Sequence, residues 1–307
     1  MTWFRQLTTY TLFPFTFCSA IFCTLMAIER EISYAFILFI VSFTTAIIIT
    51  IFERINPQYT SWNSPQKDIL TDSIHTTVSI ILLPPVLELA LTTSLLAASL
   101  YLSQFTGIVP WPSQWPLFGQ LLLAMLVSQF FEYWVHRLMH EQPLLWRLHA
   151  THHSPGRLYW LNSGRFHPID TTLSFTAMLS SLLVLGAGEE VLLLSSVWVA
   201  VHGMFQHSNI RLRLGPLNYI FSMAELHRWH HSLILQEANA NYGNNIIFWD
   251  LVFGTLYYPK EREASEQVGL NGIVNFPKNY LGQLATPFRW NSLTHEKAPS
   301  AETAQED

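Results

Sequence analysis

Polar and apolar positions alternate along this chain on the length scale of a membrane. Uncharged, predominantly apolar runs cover 10–28, 32–52, 114–131, 171–188 and 191–210, each near the ~20 residues that a helix needs to cross the hydrocarbon core. A further apolar stretch, 78–103, is interrupted only by Glu88 and the Pro84-Pro85 pair. Residues 10–52 therefore predict a helical hairpin turning at Glu29-Arg30-Glu31. Residues 53–77, with Pro57, Pro65, Lys67, Asp68 and Asp72, are expected at the surface. A second hairpin follows over 78–135. Its turn, Gly107 to Pro112, with Trp111 and Trp115, has the aromatic character of a membrane interface. The run over 171–206 is broken at Gly186-Ala-Gly-Glu-Glu190, so it forms either two short spans or a re-entrant hairpin, and in both cases the chain returns to the side it left.

The pattern predicts an all-α integral membrane protein: about four transmembrane helices, a re-entrant or returning apolar hairpin, and a cytosolic helical cap rich in histidine. Only 12% of the 307 residues are charged, against about 25% in ordinary soluble domains. Of the 16 lysines and arginines, this map leaves Arg30 alone on the far side. Basic residues mark the cytoplasmic face, so the cap is expected there. The first run is expected to stay as a membrane helix rather than be cleaved as a signal peptide, because another span follows at once. Cys18 and Cys23, both inside that run, are expected as small core residues rather than a disulfide or metal pair. No basic stripe suggests nucleic acid.

Histidine changes the picture. Ten of 13 histidines fall into tight clusters within 136–231, as His136-Arg-Leu-Met-His140, His149-Ala-Thr-His152-His153, His202 with His207, and His227-Arg-Trp-His230-His231. On a helix, positions i, i+3 and i+4 share a face, so each His-x-x-His-His cluster should present three imidazoles in one direction. That many imidazoles exceed what one ion can hold, which favours two metals. Neutral imidazole suits iron, zinc, copper and nickel alike. Ligating histidines usually donate their second ring nitrogen to a carboxylate or carbonyl; Glu132, one helical turn before His136, together with Asp170 and Asp250 are candidates for that outer role.

The three clusters, with their context Arg165-Phe-His-Pro-Ile-Asp170, His207-Ser-Asn209, Asn241-Tyr-Gly-Asn-Asn and Trp249-Asp250-Leu-Val-Phe-Gly-Thr255, resemble the histidine boxes of the fatty acid hydroxylase/sterol desaturase superfamily. The resemblance spans about 130–257. It implies a 57–257 catalytic domain between a 1–56 transmembrane hairpin and a 258–307 polar tail whose end, Thr294–Asp307, is disordered. It further implies two iron ions, for which zinc can substitute in purified protein. The ligands it implies are His136, His140, His149, His152, His153, His202, His207, His227, His230 and His231, with Asn209 nearby. By the same resemblance His167 lies near the site rather than in it, and His75 and His295 are spectators.

The activity so implied is O2-dependent hydroxylation of a lipid C–H bond, with desaturation as the alternative outcome and a non-catalytic metal-binding membrane protein as the distant one. The chain carries no haem, flavin or ferredoxin motif, so two electrons are expected from a separate ferredoxin-like or cytochrome-type donor with its reductase. Arg137, Arg147, Arg157 and Arg165 are expected to dock either an acidic carrier or lipid headgroups. A bacterial inner membrane is expected rather than endoplasmic reticulum.

Overall fold

The computed structural model describes residues 3–294 except Pro65, Ile108, Val109 and Val274. Helices α1 (Trp3–Glu29) and α2 (Tyr34–Ile55) form the expected hairpin. Between them Glu31 takes a positive φ of 53° and the Ile32 N–H closes onto the Ala27 carbonyl at 2.9 Å. α3 (Ile69–Thr76) runs through a π-helical stretch, Thr77–Leu82, into α4 (Leu83–Thr106). The π-stretch has a local cause: Pro84 and Pro85 have no N–H to offer the carbonyls one turn back, so the ladder widens instead of closing. α5 (Leu117–Glu141) and α6 (Pro143–His153) follow, then α7 (Pro168–Leu185) and α8 (Glu189–His207). Short helices α9 (Ala224–His230), α10 (Leu235–Ala238), α11 (Phe248–Phe253), α12 (Tyr280–Ala285) and α13 (Trp290–Thr294) build the cap. Among the described residues, β-structure is limited to isolated bridges such as Pro57–Ile210.

Five helical segments are long and apolar enough to cross a membrane: Trp3–Glu29, Tyr34–Ile55, Ile69–Thr106, Leu117–Glu141 and Pro168–Leu185. Their outer faces carry large apolar side chains, with Phe15 73% and Phe105 80% exposed. Such outward apolar faces suit lipid and would be a liability in water. Inside, Phe13 and Phe17 of α1, Ile49 of α2, Leu121 of α5 and Val197 and Phe205 of α8 form the main core. The expected returning hairpin is α7–α8, closed at Gly186 with φ 83°. The start of α7 and the end of α8 thus meet at one end of the bundle, where the cap sits.

Three expectations change. The third span begins at Ile69, not 78, and its early residues are interior: Asp72 is fully buried, receives a hydrogen bond from Tyr159 Oη at 2.6 Å and pairs with Arg165. A charge with so distant a partner cannot be recognised as buried from its neighbours in sequence. Cys18 and Cys23 are exposed on the outer face of α1 rather than in the core. Parts of the expected polar tail pack against the rest of the protein: Trp62 Nε1 donates to the Glu266 carbonyl at 3.1 Å and Thr71 Oγ1 to the Lys278 carbonyl at 2.8 Å. The expected disorder beyond Thr294 and the spectator His295 lie outside the described residues.

Candidate metal centre

Four helices converge their histidines at the cap end of the bundle. α5 supplies His136 and His140, α6 His149, His152 and His153, α8 its last residue His207, and α9 with its C-cap His227, His230 and His231. They form two groups: His136, His140, His149, His153 and His230 in one, and His152, His207, His227 and His231 in the other. Within each group the ligand atoms lie within 4.8 Å of one another. All are buried except half-buried His140.

Each His-x-x-His-His cluster divides between the groups, a departure from the expected common direction. On α6, His149 and His153 join the first group and His152 the second; on α9, His227 and His231 join the second and His230 the first. Residues i and i+4 differ by ~40° around a helix while i+3 falls on the other side of i. A cluster wedged between two ions therefore sends its i and i+4 rings to one and its third ring to the other.

The hydrogen bonds behind the rings decide what the groups can hold. His136 Nδ1 donates to the Tyr242 carbonyl at 2.7 Å, His230 Nδ1 to the Ala240 carbonyl at 2.8 Å and His149 Nδ1 to Asp170 Oδ2 at 2.8 Å. Each of these acceptors fixes the proton on Nδ1 and leaves a bare lone pair on Nε2. Yet His136 Nε2 lies 3.0 Å from both His149 Nε2 and His230 Nε2. In the second group, His207 Nδ1 meets Asn162 Oδ1 at 3.1 Å, and the Asn162 amide is oriented by its own bond to the Arg157 carbonyl. His207 Nε2 then faces His227 Nε2 at 2.8 Å, and His231 Nε2 faces the same atom at 3.0 Å. Lone pairs this close repel, and a cation between them converts the repulsion into ligation. Buried nitrogens without a hydrogen-bond partner, His140 Nε2 and His153 Nε2 among them, add to the donor set. The residues fit two metal ions of the imidazole-preferring kind.

Burial also keeps the α9 rings and two of the α6 rings neutral. Burial first, then neighbouring imidazoles, hold His152, His153, His227 and His231 well below the ordinary value of 6.5. Burial pushes His230 down to about 3. The unfolded chain therefore takes up protons before the folded one, so stability is full above about pH 6.5 and is lost as pH falls towards about 3. Protons compete for the same lone pairs as the metal. Metal retained by the purified chain, read by elemental analysis after dialysis, is expected to hold through about pH 6 and to be lost as the pH falls towards about 3.

Of the four candidate outer residues, Asp170 alone bonds a clustered histidine. Asp250 acts one step further back, accepting from the Tyr242 and Gly243 N–H groups at 2.8 and 2.7 Å and from Thr255 Oγ1 at 2.7 Å, which fixes the loop that presents the Tyr242 carbonyl. Gly243 is required there, because a Cβ would collide with the Ile246 carbonyl and come within 2.7 Å of Asp250 Oδ2. Asn209 bonds the Tyr59 N–H at 3.0 Å and ties the 53–63 segment to the end of α8. Glu132 accepts from Asn244 Nδ2 at 2.9 Å. Sequence reasoning missed Asn162, Asn239, whose Oδ1 meets His140 Nδ1 at 3.2 Å, and the carbonyls of Ala240 and Tyr242. For Asn239 and the two carbonyls the Asn239–Asn245 run of turn-forming residues was the signal, since a backbone carbonyl has no residue type.

His202 does not join either group. It lies five residues before His207, hence on a different face of α8, with its ring against Phe13 and Phe221. His167 caps α7, accepting from the Ile169 N–H at 3.2 Å. His75 is buried between the Phe166 carbonyl and Gln283 Oε1, at 2.9 and 2.7 Å. The expected docking role fails for two arginines: Arg157 is buried on Asp68 and Arg165 on Asp72. Arg137 pairs with Glu141 one turn along α5 at 2.8 Å.

A helical membrane bundle ending in two histidine-lined metal groups defines a class of membrane metalloenzyme. Residues 121–255 match the family described as fatty acid hydroxylase. The ornithine lipid hydroxylase OlsE of Rhizobium tropici is 39% identical over 255 residues, covering 81% of this chain and 75% of that protein. Human (Homo sapiens) alkylglycerol monooxygenase is 29% identical over 154 residues, 50% of this chain and 33% of that protein. Methylsterol monooxygenase 1 of Rattus norvegicus is 25% identical over 185 residues, 57% of this chain and 61% of that protein. No solved structure matches. The chain belongs to the fatty acid hydroxylase family, and like these relatives it is an oxidoreductase.

Proposed function

We propose that the chain is a di-iron hydroxylase of a membrane lipid, its catalytic part lying within 57–257. The reading is carried by the nine buried and half-buried imidazoles whose lone pairs converge in two groups. The reaction takes one lipid C–H bond, O2, two electrons and two protons to an alcohol and water, with the electrons delivered by a separate ferredoxin-like or cytochrome-type carrier. When bound, the metal pair supplies the activation of dioxygen. The chain's own residues hold the rings in their ligating tautomer through Asp170, Asn162 and the Tyr242 and Ala240 carbonyls, and burial keeps bulk water from the reacting carbon. The name and coverage of the Rhizobium relative make an ornithine-type amino lipid the first substrate to test. Lipid extracts of a deletion strain are expected to lack a species heavier by one oxygen atom that the restored gene brings back. Identical extracts would overturn the reading, and a species lighter by two hydrogens would make the enzyme a desaturase.

The basic residues and the bacterial relative support a cytoplasmic-facing site in a bacterial inner membrane. In a background without Cys18 and Cys23, Ser113→Cys is expected to react with an impermeant thiol reagent on intact cells. Ser265→Cys, exposed on the cap, is expected to react only after lysis. Reaction of both on intact cells refutes the orientation.

A further inference from the structure

On the membrane side of the first histidine group, α5 carries a buried polar stripe in an otherwise apolar span: Gln129, Glu132 and His136, spaced three and four residues apart. Glu132 is 4% exposed, and it forms no ion pair among the described residues. One oxygen accepts from neutral Asn244, and the other, Oε2, has no hydrogen-bond partner. A carboxylate left so in a membrane bundle costs several kcal/mol and is retained for a reason.

Two more buried acceptors without partners sit on residues next to those that hold Glu132: Asn245 follows Asn244 in the chain, and Thr171 lies one helical turn before Ser174. Asn245, 3% exposed, spends its side-chain and backbone N–H groups on Gln129 Oε1, at 3.1 Å each, and leaves Oδ1 unpartnered. Across α5, α7 presents Thr171, 9% exposed with Oγ1 unpartnered. One turn on, the Ser174 hydroxyl donates to the Glu132 carboxylate, a neutral donor that leaves its charge unpaired. The neighbouring Asp170 is committed to His149, so its charge is not available to balance anything else. A buried carboxylate held only by neutral donors, and two nearby oxygens without partners, thus face no counter-charge, and an ammonium group has three N–H donors and one positive charge.

We infer that Glu132, Thr171 and Asn245 seat the ammonium of an amine-bearing lipid headgroup. Glu132 stands one helical turn from His136, about 6 Å along the axis, so a seated amine delivers the carbons next to it to the first metal group. Glu132 is the specificity-determining residue of the three, because it supplies the charge. This rests on the lipid hydroxylase reading and adds to it which part of the lipid is held and by what.

The test is equilibrium binding of two probes to the metal-loaded full chain in detergent, read by native mass spectrometry: a short-chain ornithine lipid and the same lipid with its free amine acetylated. The wild type is expected to prefer the free amine about tenfold or more, as suits hydrogen bonds to a charged group. Glu132→Gln, which keeps shape and removes charge, is expected to bring the two within about twofold, and Thr171→Val to fall between. Metal content, measured on the same samples, is expected to be unchanged, which separates loss of the seat from loss of the centre. A wild type that binds both probes alike or neither, or a preference that survives Glu132→Gln, overturns the seat. Hydroxylation of an amine-free lipid by such a protein would leave the lipid hydroxylase reading standing. Amine-selective binding with no oxygenated lipid in cells would do the reverse.

Discussion

Alanine at His136, His140, His149, His152, His153, His207, His227, His230 or His231 is expected to abolish hydroxylation, and the metal count should report which group was struck. Each of these rings belongs to one of two groups whose ligand atoms lie within 4.8 Å of one another. Removing a ring deletes a ligand and leaves its neighbours' lone pairs converging on a site with fewer bonds to offer. His227→Ala strips the second group of the nitrogen that faces both His207 and His231, at 2.8 and 3.0 Å. Purified protein is then expected to hold about one metal per chain where the wild type holds about two, on the imidazole capacity of each group. His230→Ala combined with His231→Ala strikes both groups and should leave neither ion. His202→Ala, by contrast, is expected to keep both metals, because its ring packs against Phe13 and Phe221 away from either group. Elemental analysis of detergent-purified protein decides all three. Two metals surviving the His230/His231 double substitution would refute the assignment.

His75→Ala belongs to a different kind of test. The ring is fully buried and bonded on both sides, to the Phe166 carbonyl and to Gln283. Its loss leaves a buried partner on each side of the ring without its hydrogen bond, at ~1–3 kcal/mol each, so thermal stability is expected to fall while the metal count holds. A residue that matches no box in the sequence is a spectator to the chemistry and still part of what holds the cap on the bundle.

The sequence made the spans legible because lipid imposes a plain rule, apolar side chains outward and no free charge, that a run of letters can satisfy visibly. The boxes were legible for a similar reason: ligation demands imidazole, and helical spacing shows in the numbering. What escaped depends on distant pairing. Asp72 looked like a surface residue until Arg165 and Tyr159, some ninety positions away, were found closing on it. The division of each His-x-x-His-His cluster between two groups needed the positions of both partner helices. The acceptors behind His136 and His230 are backbone carbonyls, set by where the Ala240–Tyr242 loop runs, and no residue type announces them. His202 is the opposite case, a histidine in the right neighbourhood of the sequence whose ring packs against Phe13 and Phe221 instead of joining either group.

Asp170→Asn should cost about 10–100-fold in metal affinity or activity, the usual effect of losing the partner behind a ligating histidine. Asp170 is 1% exposed and holds His149 Nδ1 at 2.8 Å. Asparagine preserves the volume and can still offer an oxygen to the Nδ1 proton, so the ring's position need not change. What it removes is the negative charge, which raises the basicity of Nε2 and offsets the positive ion in front of the ring. Asp250→Asn provides the contrast. Asp250 accepts three hydrogen bonds from the Tyr242–Gly243 backbone and Thr255 and touches no histidine. An amide there cannot accept all three on the same two atoms, so the loop loosens and stability falls by ~1–3 kcal/mol, with a smaller change in metal affinity. Competition against a chelator gives the affinity and thermal unfolding of the same preparations gives the stability. If the two substitutions lower affinity equally, the Asp170 charge does not tune the first group, and its carboxylate serves only to position α7 against α6.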